Sequence, residues 1–164
     1  TLRAVGPDLS ALSDIGTKLN RIFHRDSLRN FFASLVCIEV KSHSGDVRIL
    51  NAGHLPAVVM KGAVIEQAPK GGPAIGIFPE AEYTEQHLEL NVGDVLVVFS
   101  DGLTETKNEA GDFFGTQRLI NRLSMSGSGD APEIGRMIVQ AVEHFRGEAE
   151  VYDDLSLIVL RRMV

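Results

Sequence analysis

The 164 residues predict a mixed α/β fold of the α+β kind, with mainly antiparallel strands flanked by helices. Three observations carry that expectation. Tight-turn chemistry at Ser42–Asp46 and at Lys61-Gly62 joins short apolar runs, which marks β-hairpins. Two strongly apolar runs, Val95–Phe99 and Leu155–Leu160, read as buried strands. Apolar stripes at helical spacing occur toward both ends of the chain. No G-x-G-x-x-G follows a strand and no Walker lysine occurs, so a doubly wound nucleotide fold has little support.

The elements follow in order. Thr1–Val5 is apolar and helix-compatible but has no cap before it, and Gly6-Pro7-Asp8 breaks it. Leu12, Ile15, Leu19 and Ile22 recur at spacings of three and four and predict an amphipathic helix. Phe31–Val40 is a strand, and Val47–Ala52 returns from it. Ala57–Met60 and Ala63–Gln67 form a second hairpin. Ala68–Pro79 is rich in Gly and Pro and is expected as an exposed loop. Glu85–Leu90 alternates polar and apolar residues, as a half-buried strand does. Asn91–Asp94 turns the chain into the Val95–Phe99 strand. Thr116–Ser124 is a short helix. Asp130-Ala131-Pro132 opens a longer one, whose stripe runs from Ile134 to Phe145 and which Gly147 ends.

Composition narrows the function. The apolar fraction of 44% and charged fraction of 23% are those of a globular chain. A net charge of −6 and the lack of any Lys/Arg run argue against a nucleic-acid partner. The one cysteine, Cys37, lies in an apolar run, reads as core and fits a reducing compartment. No apolar run reaches membrane-spanning length, and TLRAVGPD has no signal-peptide features, so a cytoplasmic location is expected.

The chemistry concentrates where strands end. Asp101 ends one buried strand, and Asp153-Asp154 begin another. If these strands are antiparallel neighbours, three carboxylates share one sheet edge with no lysine or arginine beside them in sequence. Such a crowd repels itself unless a cation sits within it. Oxygen-only donors suit Mg²⁺ or Mn²⁺, not zinc. Gly102 removes a Cβ where an ion or water would approach. The alternative is plainer: Asp101 opens a turn, and Asp153-Asp154 are solvated loop charges.

Phe99–Glu105, followed by Asn108, Gly111 and Phe114-Gly115, resembles a signature of the metal-dependent (PPM) protein serine/threonine phosphatases. Asn51–His54 with Pro56, then Gly71–Gly76, and finally Asp153–Leu157 recur in the same order in one bacterial branch. That branch is typified by the sporulation stage II E and stress-response sigma-regulator phosphatases. Leu19-Asn20 fits it too. The resemblance implies a PPM-like β-sandwich flanked by helices, with 1–164 as a single domain. It implies two Mn²⁺ or Mg²⁺ ions and in-line attack of water on phosphoserine or phosphothreonine, without a phosphoenzyme. Asp101 and Asp153 are then the catalytic metal ligands, and Asp154 takes the place of a neighbouring polar residue. The implied substrate is a regulatory phosphoprotein such as an anti-sigma-factor antagonist. Sensory or receiver domains are expected upstream.

The sequence departs from the family at one point. A Gly-Asp-aromatic-aromatic-Asp motif, expected near the start, is not in it. The resemblance therefore implies an N-terminally truncated domain that begins at the end of a family helix, in Thr1–Val5. Gly111–Phe114 mimics the motif but lacks the second aspartate, and reads as a turn. A partial ligand set implies weak metal binding and little turnover by this chain alone. The competing reading is a degenerate adaptor that binds without catalysis. Lesser candidates for substrate contact are His54, which also suits a turn at a strand end, and Lys70 in the Gly-Pro loop. His43 reads as surface, and Phe113-Phe114 as core anchors. An uncovered sheet edge leads us to expect self-association, as a homodimer or larger.

Overall fold

The computed structural model describes residues 11–26 and 31–164. The expectations for Thr1–Val5 and Gly6–Asp8 lie outside them. The fold is mixed α/β, with two antiparallel sheets flanked by helices. It divides into two compact units, one formed within Thr1–Pro56 and Pro69–Glu89, the other within Ala57–Ala68 and Leu90–Val164.

The first unit holds helix α1 (Leu12–Asp26) and strands β1 (Leu35–Val40), β2 (Asp46–Ala52) and β5 (Glu85–Glu89), in the order β1-β2-β5. Helix α1 packs on β2. It can come that close because Gly16 has no side chain: a Cβ there would stand 2.9 Å from Leu50 Cδ2 and 3.0 Å from the Tyr83 ring. Leu12, Leu50, Ala52, Ile75, Ala81 and Tyr83 make the core, with Cys37 packed on its flank. Cys37 is half-buried, and burial pushes its thiol pKa up, which leaves it protonated and inert.

Two expectations are corrected here. Strand β1 starts at Leu35, not Phe31, and Phe31 and Phe32 are exposed. Leu35 pairs with Ala52, the last residue of β2, after which Gly53 (φ +71°) turns the chain away. Ala33 bridges to Ile75 instead. The Gly-Pro segment is the second correction: Gly71, Ala74 and Ile75 are buried. Gly71 N donates to Asn51 O (2.9 Å), and Thr84 N donates to Gly71 O (2.8 Å). Its glycines serve close backbone approach, not mobility.

The second unit holds β3 (Val58–Lys61), β4 (Val64–Gln67), β6 (Val95–Phe99) and β7 (Leu157–Arg161), in the order β4-β3-β6-β7. Its helices are α2 (Asp101–Thr104), α3 (Gly115–Ser124) and α4 (Ala131–Arg146). Every residue of β6 is buried, as the run of five apolar residues predicts. Strand β7 is antiparallel to β6, with Phe99 opposite Leu157. It is shorter and wetter than expected, with Ile158 53% exposed, because it is the edge of its sheet. A capping box between Asp130 and Glu133, with proline in the first turn, starts α4, and α4 packs on β7. Of the two expected aromatic anchors only Phe114 is buried, edge-on to Phe145 at 5.5 Å. Phe113 is 52% exposed, and its ring faces Lys107 Nζ at 5.2 Å instead of the core.

Candidate active site

The end of β6 and the approach to β7 are stapled together by one side chain. Ser100 is the N-cap of α2, yet its hydroxyl makes no cap hydrogen bond. Instead Ser100 Oγ donates to Asp154 O (3.1 Å) and accepts from Ser156 N (2.9 Å). The backbone adds a bond from Ser100 N to Ser156 O (3.0 Å). Gly102 completes the junction: a Cβ built on it would stand 2.3 Å from Asp154 O, inside any real contact. The bare Cα therefore admits the Asp154 carbonyl, where the sequence suggested room for an ion or water. That is a correction of reason, not of residue type.

These bonds bring Asp101 and Asp153-Asp154 to one sheet edge, and all three are exposed. Asp101 is the first residue of α2, not the last of a strand. Its Oδ1 accepts from Gly102 N (3.1 Å), and Asp153 Oδ1 accepts from Asp154 N (2.8 Å). Among the described residues neither carboxylate forms an ion pair. A cavity of about 280 Å³ adjoins them, with Gly102, Val142, Arg146, Tyr152 and Asp153 in its wall. Arg146 Nε is buried there without a hydrogen-bond partner.

The donors suit Mg²⁺ or Mn²⁺ in kind, since both cations prefer hard oxygen ligands. Among the described residues no three His, Cys, Asp or Glu side chains gather into a group able to hold a metal.

In the other unit, His54 N donates to Asn51 Oδ1 (2.9 Å), and Asn51 Nδ2 donates to Leu55 O (3.0 Å). His54 thus ties a strand end into a turn. Lys70 and His43 are exposed. No signal in one dimension marks the second role of Ser100, because a serine before a helix ordinarily reads as a cap. Nor does one mark Arg146, which sits at a helix end where basic residues are common.

The model of the family described as stage II sporulation protein E (SpoIIE) matches residues 1–163. Phosphoserine phosphatase RsbU of Bacillus subtilis is 27% identical over 156 residues, 93% of this chain and 45% of that protein. Protein IcfG of Synechocystis sp. is 28% identical over 132 residues, 80% of this chain and 21% of that protein. The chain thus spans less than half the length of these curated relatives. The SiaA-PP2C domain of Pseudomonas aeruginosa shares its fold, with a TM-score of 0.80 at 19% identity over 98% of this chain and 62% of that one. The chain therefore belongs to the SpoIIE family, within the SpoIIE/RsbU branch of the PPM-type phosphatases.

Proposed function

We propose that residues 1–164 are a PPM-type domain serving metal-dependent hydrolysis of phosphoserine or phosphothreonine on a regulatory protein. The domain would be the output of a longer bacterial signalling protein in the cytoplasm, with sensory or receiver domains upstream and an anti-sigma-factor antagonist as a fitting substrate. One observation supports this most: the Ser100–Gly102 junction holds Asp101 and the Asp153-Asp154 pair at one exposed edge.

The electrostatics explain why a cation is needed. A phosphate dianion approaching these carboxylates, on a chain of net charge −6, is repelled. Asp101 and Asp153, with Asp154 in a lesser role, would hold Mn²⁺ or Mg²⁺. Held there, the ion would supply Lewis-acid polarisation of a phosphoryl oxygen. This chain's own residues do the positioning. Ser100 and the bare Cα of Gly102 fix the two carboxylate-bearing segments against each other. Their exposure leaves room for a folded phosphoprotein to reach them. His54 and Lys70 are proposed for substrate contact, because an imidazole and an ammonium can each meet a phosphate oxygen.

A second reading, a phosphatase-like adaptor without catalysis, is favoured by the lack of a three-ligand group among the described residues. Phosphate release from a phosphoserine protein, with and without Mn²⁺, separates the two. Metal-dependent release by the full-length protein supports hydrolysis. Binding of the phosphoprotein with no release at any metal concentration would establish the adaptor.

A further inference from the structure

Asp153 sits in the loop after α4, a segment without helix or strand and with Tyr152 79% exposed. Its C-terminal end is held by Ser100, as described. Its N-terminal end is held by a turn that the site itself does not use. Lys107 and Phe113 bridge as antiparallel partners, and between them Asn108 and Asp112 lock a compact turn. Asp112 N donates to Asn108 Oδ1 (2.8 Å), and Asn108 N donates to Asp112 O (3.0 Å). From this turn two side chains reach the Asp153 loop. Glu109 Oε1 accepts from Glu148 N (3.0 Å). Lys107 Nζ stands 5.0 Å from the centre of the Tyr152 ring and 5.2 Å from that of Phe113, a cation held between two aromatic faces.

Gly147 makes the first contact possible. It caps α4 with φ +59°, and a Cβ there would stand 2.9 Å from Glu109 Oε1. Three separate features, the glycine, the carboxylate and the lysine, thus converge on the short loop that carries Asp153 and Asp154.

We propose that Lys107 and Glu109 are positioning residues that clamp the Glu148–Asp154 loop and so fix Asp153 beside the end of β6. The proposal rests on the reading of Asp153 as a site residue. Tyr152, next to Asp153 in the chain, transmits the restraint: with Lys107 in place its ring is pinned, and the backbone of Asp153 loses freedom. The clamp acts on the loop and not on the fold, because Lys107, Glu109 and Tyr152 lie outside the buried core.

Amide hydrogen exchange of the full-length protein tests this directly, with Lys107→Met, Lys107→Arg and Glu109→Ala. A surface cation–π contact holds a loop closed by a few-fold, so Lys107→Met should speed exchange across 148–154 by about two- to fivefold. Exchange in β6 and α4 should not change, and Lys107→Arg, which keeps the cation, should restore the loop. Unchanged loop exchange in Lys107→Met and Glu109→Ala would overturn the clamp, as would a rise spread evenly over the whole protein. The kinetic arm uses a phosphoserine protein. Lys107→Met should lower kcat severalfold and leave KM unchanged, with Lys107→Arg near the unmodified rate. Unchanged kcat would overturn the positioning role. No release by the unmodified protein would instead end the phosphatase reading, and the exchange data alone then decide the clamp.

Discussion

At the scale of single residues, the junction at Ser100–Gly102 organises the edge on which the carboxylates stand. Gly102 is there for close approach and not for an unusual backbone angle, so its replacement fails sterically. Gly102→Ala places a methyl group 2.3 Å from Asp154 O and forces the loop outward. Overpacking of this kind costs about 1–3 kcal/mol. For a chain of this size that lowers the melting temperature by roughly 2–12 °C, measurable by calorimetry. Gly62→Ala is the contrast, since nothing stands within 4 Å of it and only its positive φ is strained. A Gly102→Ala melting curve identical to the unmodified one would remove the steric argument. The sequence showed Asp101, Gly102 and Asp153 as a group because their residue types and strand-end positions are visible in one dimension. It could not show Ser100 bonding Asp154 across 54 positions, nor Lys107 meeting Tyr152, because those contacts exist only once β6 and β7 pair.

At the scale of elements, helix α1 is fastened by two polar anchors, one to the Gly76–Phe78 segment and one to β5. Asn20 is buried; its Nδ2 donates to Phe78 O (2.8 Å), and its Oδ1 accepts from Gly76 N (2.8 Å). Asn20→Ala strands those backbone groups and should cost about 1–3 kcal/mol, read as a lower urea midpoint. The other anchor is Glu85, whose Oε2 accepts from Leu12 N at the start of the helix (2.6 Å). Desolvation pushes the Glu85 carboxyl pKa up, but the Leu12 N–H, Arg48 and His87 together outweigh it and hold the pKa below its ordinary 4.5. A depressed carboxylate stabilises the fold above its unfolded pKa and ceases to as pH falls through the folded value. Unmodified protein should therefore melt above Glu85→Gln at pH 7, and the gap should close below about pH 4.5. A gap that widens toward acid would reverse the assignment. Element types and the hairpin pairings were legible from turn residues and apolar spacing. Boundaries were less so: β1 lost four residues at its start because pairing with β2 stops at Ala52, and no local signal encodes where a partner ends. Likewise the Gly-Pro segment looked like an open loop, since a one-dimensional reading sees glycine as freedom and not as closeness.

At the scale of the molecule, exposed apolar side chains bear on how the 164-residue chain behaves in solution. Phe31 and Phe32 on one side of the Ala33–Ile75 bridge, and Ile77 and Phe78 on the other, are all exposed. Such a patch next to the edge strand β1 favours association. Sedimentation of the chain at micromolar concentrations should show dimers or larger species, and a clean monomer throughout would contradict this. The same chain should release negligible phosphate even in millimolar Mn²⁺, because Mg²⁺-like ions need about six oxygen ligands and no three donors gather among the described residues. The most direct test of the phosphatase reading is metal-dependent phosphate release by the full-length protein and its Asp101→Asn variant, with melting curves alongside. The change keeps shape and removes one anionic donor. Loss of a residue that merely orients a ligand costs 10–100-fold, so loss of a ligand itself should lower the rate by at least about a hundredfold. The variant should do so without a lower melting temperature, since Asp101 is exposed. Equal rates for Asp101→Asn and the unmodified protein would contradict the assignment.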